Sequence, residues 1–378
     1  MQAENTHVAV IGAGIVGLAI AERISRTIGD VVVIEQHESF GRETSSRNSQ
    51  VVHAGLYYPE DTLKAKLCVK GNRMMYEFCE KEAIPFRKTG KLVPGIDAEE
   101  VERVFATLSC GKANGAEGVR MLTKKEIDER APDICCTETL FSPSSGIIDA
   151  HVVMATLERK SQNRGAIFAY ASRATHMEFS SGTWRIYLAD SSGEEVELRS
   201  KIVINSTGLH ADAVAASAGV DIEQAGYCQE PCKGEYFRVA DRERGRMKTL
   251  VYPAVVPRMK GTAAEGVHLV LELDGGMKIG PNKIDRMDGL DVDESHLMPF
   301  WEQMHRYLPW LRPEDLRPDS AGVRPMRRGG GGNSQDYIIM EESARGLPGL
   351  VNLITMESPA LTSSLAIADY VASLVDLS

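Results

Sequence analysis

The sequence predicts an α/β protein of two interleaved parts, and three observations carry that prediction. The chain opens on a strand, a glycine turn, a helix, a second strand and an acid; a second strand-to-glycine turn follows near residue 206; and strand-like runs of a different character lie between about 228 and 318. At 378 residues there is room for two or three domains, or for one body with a large insertion. Apolar residues at 43% and charged residues at 25% suit a globular chain and exclude a disordered one.

His7 to Ile11 (HVAVI) is a β-branched run of the kind that makes a buried parallel strand. Gly12-Ala13-Gly14-Ile15-Val16-Gly17 follows at once, then a helical pattern to about Ile28 and a second buried run, Val31 to Ile34. Gly12 permits the tight turn, Gly14 lets backbone approach a pyrophosphate, and Gly17 lets the helix lie close on the strand. Ile15 and Val16 open a helix whose unpaired N–H groups and positive dipole end favour phosphate. Glu35 lies 21 residues after Gly14, with Gln36 beside it, where a carboxylate can hold an adenosine ribose through its hydroxyls. The competing reading is a plain glycine-rich turn; the ordered arrival of all five parts favours a Rossmann-like dinucleotide site. An acid at 35 also disfavours NADP, whose 2′-phosphate it would repel.

The next stretch is rich in hydroxyl, amide and guanidinium groups: Thr44, Ser45, Arg47, Asn48 and Ser49, before Val51 to Tyr58. A plain NAD domain would proceed to another crossover helix, whereas this stretch suits the remainder of a long dinucleotide. A polar loop capping the following helix through Thr44 or Ser45 is the alternative. Composition alone leaves both readings, and both FAD and NAD, open.

TSSRNSQVVHAGLYYPEDTLKAKLCVKGNRMMYEFC (Thr44 to Cys79) resembles the signature of L-2-hydroxyglutarate dehydrogenases and oxidases, within the D-amino-acid-oxidase-like FAD-dependent superfamily. The resemblance continues through GIIDAHVV (146–153), INSTGLHAD (204–212), CKGEYF (232–237), GVHL (266–269), GPN (280–282), AGVRP (321–325) and LVNLITMESPALTSSLAIADYV (350–371). It implies FAD rather than NAD, and a glycine oxidase-like two-domain fold. That fold has a Rossmann-like FAD-binding domain (1–84, 144–226 and 319–378) and an interleaved antiparallel-sheet substrate domain (85–143 and 227–318).

Within these blocks, Lys201 to Asn205 reads as a strand ending at Ser206-Thr207-Gly208, followed by a helix near Asp212 to Ala218; an ordinary strand-to-helix turn is the alternative, but agreement with the first fingerprint favours Thr207 and Gly208 as a second cofactor contact. Ser358 is a good N-cap and Pro359 fits the first helical position; Leu361, Leu365, Ile367, Ala368, Val371 and Leu374 continue an amphipathic helix. Ser358, Pro359, Leu361 and Thr362 are therefore expected at the flavin. Hydride arrival at flavin N5 leaves negative charge near N1 and C2=O, which a helix N-terminus favours by roughly 0.3–1 kcal/mol, ~2 if shielded. Relatives commonly read GIESPGL where this chain has Thr355 to Leu361 (TMESPAL), a loss of two glycines that bears on the backbone geometry there.

On the substrate side, helical charged runs fill about Pro85 to Pro143. Strand-like runs (234–239, 267–273, 277–280) and a helix near 294–307 read as a sheet covering the flavin. Arg324 is the leading substrate ligand. A guanidinium grips a carboxylate through two parallel hydrogen bonds, and G-x-R-P resembles the carboxylate-binding motif of amino-acid oxidases in this superfamily; a structural salt bridge is the competing role. Removal of hydride from an α-hydroxy acid also requires loss of the hydroxyl proton, which suits an imidazole. His53 and His268 are the candidates, His53 also matching a context in which some relatives carry flavin covalently. Lys233, Tyr57 and Tyr236 are candidates for a second carboxylate, each equally readable as sheet or loop packing. The low-complexity run Gly329 to Gly332 reads as a loop, with a phosphate role for Arg327 and Arg328 the minority reading.

Lys plus Arg is 43 and Asp plus Glu 53, a net charge of −10 that argues against nucleic acid and an anionic membrane surface. No apolar run reaches the ~18 residues of a membrane span. Only Met1 to Thr6 precede the first strand, so a cytoplasmic location is expected, or a mitochondrial one if a leader has been trimmed. The odd count of seven cysteines, without C-x-x-C, reads as reduced thiols and no metal site. The expected activity is FAD-dependent oxidation of a small 2-hydroxy acid, L-2-hydroxyglutarate giving 2-oxoglutarate. The expected partners are an anionic carboxylate and an electron acceptor (oxygen, a quinone or another flavoprotein), with peripheral membrane association left open. An amino acid or glycerol 3-phosphate as substrate is the first alternative, and a non-catalytic flavin-binding protein the second.

Overall fold

A computed structural model describes residues 4–190, 193, 195–254, 266–285, 289–329 and 336–377. The opening strand, Glu4–Ile11, lies between Glu195–Asn205 and Val31–Ile34, both parallel to it; Ile167–Ala169 and Leu350–Ile354 extend the parallel set on either side. A hairpin (Ser172–Ser180 and Thr183–Asp190) pairs with the first half of Glu195–Asn205.

Side chains of the opening strand alternate, as strand geometry requires. Val8 and Val10 enter a core with the helices Ile15–Ser25, Leu63–Lys81, Ala150–Gln162 and Ala360–Ala372, whereas Ala9 and Ile11 enter one with Trp184 and Ile186 of the hairpin. A sheet covered on both faces explains why these strands read as continuous apolar runs. The opening helix stops at Ser25 rather than near Ile28, whose backbone N–H bonds Ile24 O in a turn ahead of Gly29.

A second eight-stranded sheet runs Leu316–Arg327, Gln229–Val239, Met277–Gly280, His268–Leu271, Leu250–Val251, Lys91–Gly95, Glu138–Ser142, Arg120–Met121. Its pairings are antiparallel except that of Leu250–Val251 with Lys91–Gly95. Phe237 and Ile279 pack against the helix Leu297–His305 through Phe300 and Met304. A small third sheet joins Val51–Val52, Gly146–Ile148 and Phe86–Arg87.

Two expectations are corrected. Residues 85–143 contribute three strands to the second sheet besides the helices Ala98–Ala113 and Lys124–Arg130, because short, charge-flanked strands are masked by helical patterning around them. The domain boundary at 319 cuts a continuous strand: Leu316–Arg327 pairs along its length with Gln229–Val239, so Arg324 belongs to the second sheet. Residues 330–332 of the low-complexity run lie outside the described residues. No helix among the described residues is long and apolar enough to cross a membrane, and each of the seven cysteines is a free thiol.

Candidate active site

A cleft of about 640 Å³, within the roughly 300–1,000 Å³ of cofactor pockets, is lined by residues of both large sheets. Beside the first sheet its wall is the glycine turn. Gly12 has φ +99°, and a Cβ there would stand 2.7 Å from Ser206 O, so the first fingerprint and the Ser206-Thr207-Gly208 turn touch backbone to backbone. A Cβ at Gly17 would meet Gly12 O at 2.0 Å; Gly17 sits under the turn and does not line the cleft, whereas Gly12, Gly14, Ile15, Val16, Thr207 and Gly208 do.

Glu35 and Gln36 line the same wall. Glu35 is buried; one carboxylate oxygen accepts from Ala13 N (2.8 Å) and the other from His37 N (2.9 Å), each keeping a lone pair for a ribose hydroxyl. Gln36 Nε2 donates to Glu43 (3.1 Å). Glu43 also meets His37 (3.1 Å) and His210 (3.2 Å), contacts that hold its carboxyl below the usual range and raise the His210 imidazole.

Thr44, Ser45, Arg47, Asn48 and Ser49 all line the cleft. Their hydrogen bonds show how the loop keeps its shape. Ser45 Oγ accepts from Ile15 N (3.0 Å), so it caps the preceding helix rather than the following one. Thr44 Oγ1 donates to Val323 O (2.8 Å), and Asn48 Nδ2 to Ser45 O (2.7 Å).

Near the C-terminus, Ser358, Pro359 and Leu361 line the cleft. Ser358 is not the N-cap: the helix begins at Ala360 and Pro359 occupies the cap position with no side-chain cap, because Ser358 Oγ turns to His53 Nε2 at 3.5 Å. Thr362 is fully buried and outside the cleft, its Oγ1 accepting from His53 N (3.0 Å). Thr355 holds the left-handed conformation (φ +59°) and is clamped by Gln229 Oε1, which accepts from Thr355 N at 2.7 Å.

Arg324, His53, His268, Tyr57 and Tyr236 line the cleft together. Two glycines allow close approaches around the arginine, one of the loop 44–49 to its strand and one of its own guanidinium to the neighbouring strand. A Cβ at Gly322, two residues earlier on the same strand face, would stand 2.0 Å from Arg47 O; one at Gly234 would stand 3.2 Å from an Arg324 terminal nitrogen. The Tyr57 hydroxyl is buried with no hydrogen-bond partner among the described residues, an orphaned polar atom that a ligand can satisfy. Burial raises its pKa, so it stays a neutral donor. Burial, Lys91 and His268 together hold the His53 imidazole well below its ordinary range. His268 is buried, its ring stacked on Tyr252 at 3.8 Å, and its Nδ1 lies 3.1 Å from Gly266 O.

Lys233 is a correction. Alternation along Gln229–Val239 puts Gly234 and Tyr236 on the cleft face, and Lys233 on the other, paired with Glu235 at 3.0 Å. The minority phosphate reading also loses ground: Arg328 pairs with Glu223 (2.8 Å), and neither Arg327 nor Arg328 lines the cleft.

Sequence reasoning missed Lys91, Tyr252, Gly234 and Gln229. A lone lysine opening an apolar strand was the one available signal for Lys91; the rest depend on strand register. The glycine cradle, the cleft volume and the orphaned Tyr57 hydroxyl fit a long dinucleotide with an organic acid beside it.

The family described as FAD dependent oxidoreductase (DAO) matches residues 7–374. A mitochondrial L-2-hydroxyglutarate dehydrogenase of Arabidopsis thaliana is 34% identical over 98% of this chain and 83% of the relative. One of Caenorhabditis elegans, also named mitochondrial, is 30% identical (96% and 92%); the L-2-hydroxyglutarate dehydrogenase of Escherichia coli K12 is 28% identical (97% and 92%). Among solved structures, L-α-glycerophosphate oxidase from Mycoplasma pneumoniae, dithionite-reduced with FAD bound, superposes with a TM-score of 0.84 at 23% identity, over 98% of this chain and 94% of that one. Glycine oxidase from Geobacillus kaustophilus gives 0.79 at 18% identity, with the same coverage. The two-part fold expected from the sequence is the fold these structures share.

Proposed function

This chain belongs to the FAD-dependent oxidoreductase (DAO) family, and from that membership we propose that it oxidises a small 2-hydroxy acid, L-2-hydroxyglutarate, to 2-oxoglutarate. The observation that carries the reading is a single cleft lined by the dinucleotide turn, a guanidinium and two imidazoles. The relatives named L-2-hydroxyglutarate dehydrogenases supply the choice among hydroxy acids.

The glycine turn, Glu35 and the loop 44–49 hold FAD, which supplies the two-electron acceptor for hydride leaving the α-carbon. Arg324 holds a substrate carboxylate by two parallel hydrogen bonds and so orients that carbon. A histidine, His53 or His268, takes the hydroxyl proton as the C–O bond becomes a carbonyl. Tyr57, a neutral donor, satisfies its hydroxyl on the second carboxylate, with Tyr236 on the same wall. The electrons would pass on to an acceptor: oxygen, a quinone or another flavoprotein.

The test is anaerobic mixing of the yellow holoprotein with candidate substrates. Bleaching by L-2-hydroxyglutarate, but not by glycine or glycerol 3-phosphate, is expected. Bleaching by one of the others alone moves the substrate; bleaching by none favours a binding protein.

A further inference from the structure

Lys91 opens the strand Lys91–Gly95 and is fully buried, yet no carboxylate lies within ion-pair distance of it among the described residues. The parallel pairing Leu250↔Lys91, with Tyr252 N donating to Leu92 O (3.0 Å), brings Lys91 and Tyr252 together. Lys91 Nζ stands 3.7 Å from the centre of the Tyr252 ring, and the His268 ring stacks on that same ring at 3.8 Å. Two groups this close to one ring centre occupy opposite faces, so the tyrosine separates the ammonium from His268. No ring intervenes toward His53, whose Nδ1 is 3.5 Å from Lys91 Nζ. The other titratable groups near Lys91 are Tyr57, its ring 5.6 Å away, and the buried Cys68 thiol, which burial keeps neutral.

The two histidines therefore face opposite partners. A carbonyl oxygen only accepts, so His268 Nδ1 carries the proton toward Gly266 O and Nε2 is its acceptor nitrogen. An ammonium only donates, so His53 Nδ1 is the acceptor and Nε2 carries the proton, on the side of Ser358 Oγ (3.5 Å). A His53 imidazolium would also stand directly against a second cation.

We propose that Lys91 is a positioning residue that divides the work of the two histidines: it keeps His53 a neutral hydrogen-bond donor and leaves His268 to take the substrate's hydroxyl proton. This rests on the hydroxy-acid reading above. In the step itself the O–H bond breaks, its proton goes to His268 Nε2, the C–H bond breaks with its electron pair passing to bound FAD, and C–O becomes C=O. Desolvation pushes the Lys91 pKa down to about 7, so Lys91 is an ammonium, and fixes the His53 tautomer, below that pH.

The test reads tautomers first. In the holoprotein labelled with 15N-histidine, assigned with His53→Gln and His268→Gln, the proposal expects His268 as the Nδ1–H form and His53 as the Nε2–H form. The reverse assignment for either overturns it, whatever the substrate proves to be. Anaerobic flavin reduction by L-2-hydroxyglutarate across pH gives the second readout. His268→Gln should slow reduction about 100-fold or more and remove the acid limb, whereas His53→Gln should lower the rate and keep that limb. Lys91→Met should let His53 titrate and add a second ionisation to the limb. An acid limb lost in His53→Gln but kept in His268→Gln, or a Lys91→Met protein with unchanged His53 signals and pH profile, overturns the proposal; should Lys91→Met not fold, the wild-type tautomers decide. A wild-type flavin that L-2-hydroxyglutarate does not bleach counts against the substrate, while the tautomer result still judges Lys91.

Discussion

Gly322 Cα rests against the Arg47 carbonyl so closely that a Cβ at 322 would stand 2.0 Å from that oxygen. The strand bearing Arg324 thus touches the loop 44–49 without an intervening side chain, which couples Arg324 to the opposite wall of the cleft. Gly322→Ala must push strand and loop apart, at a cost of about 1–3 kcal/mol. A lower urea midpoint for the holoprotein, with weaker substrate binding, is expected; an unchanged midpoint would show that the two segments are free to separate.

Arg324→Ala should leave FAD bound and weaken substrate. Truncating one partner of a desolvated charge pair costs about 2–5 kcal/mol, or roughly 30-fold and upward in the Michaelis constant. Absorbance of the purified variant checks the first point and steady-state kinetics the second. Arg324→Lys should recover only part of the loss, because an ammonium is a point charge and not a planar fork.

Glu35→Ala strands the backbone N–H groups of Ala13 and His37. Each costs about 1–3 kcal/mol when buried without a partner, and the ribose ligand goes with them. The variant is expected to purify with little FAD and to need added cofactor for its colour.

The Glu43–His210 contact predicts a pH window. Glu43, held below its ordinary 4.5, contributes stability above that pH and loses it as pH falls through its folded value. His210, raised above its ordinary 6.5, contributes below that pH and loses it as pH rises through its folded value. The pair is therefore fully effective between about 4.5 and 6.5. His210→Ala should lower stability most in that window, by less than about 1 kcal/mol because half the imidazole meets solvent, and thermal midpoints measured across pH should fall most there.

Thr355 holds a conformation (φ +59°) that an ordinary L-residue adopts at a cost of roughly 1–2 kcal/mol. Thr355→Gly should accordingly be more stable than Thr355→Ala by about that amount, although glycine is the smaller residue. Chemical denaturation of the two variants decides it.

Local signals carried the nucleotide site: the glycines, the helix behind them and Glu35 lie within 24 residues, and their jobs follow from short-range geometry. Arg324, His53 and His268, which line one cleft, sit in sequence blocks with a family resemblance. For Lys233 the sequence leaves a carboxylate ligand and sheet packing equally open; strand alternation, which sets adjacent residues on opposite faces, puts it on the side of Glu235 and away from the cleft. For Lys91 the sequence offers only a lone lysine opening an apolar strand. Its place beside Tyr252 depends on a pairing with Leu250, 159 residues away, and no periodicity in the sequence encodes that contact.

The most direct measurement is a crystal structure of the FAD-loaded protein with 2-oxoglutarate. The account predicts one carboxylate in a two-pronged contact with Arg324, and the 2-oxo carbon between the isoalloxazine ring and His268. An acid bound away from Arg324, or a ring with no space beside that guanidinium, would contradict it.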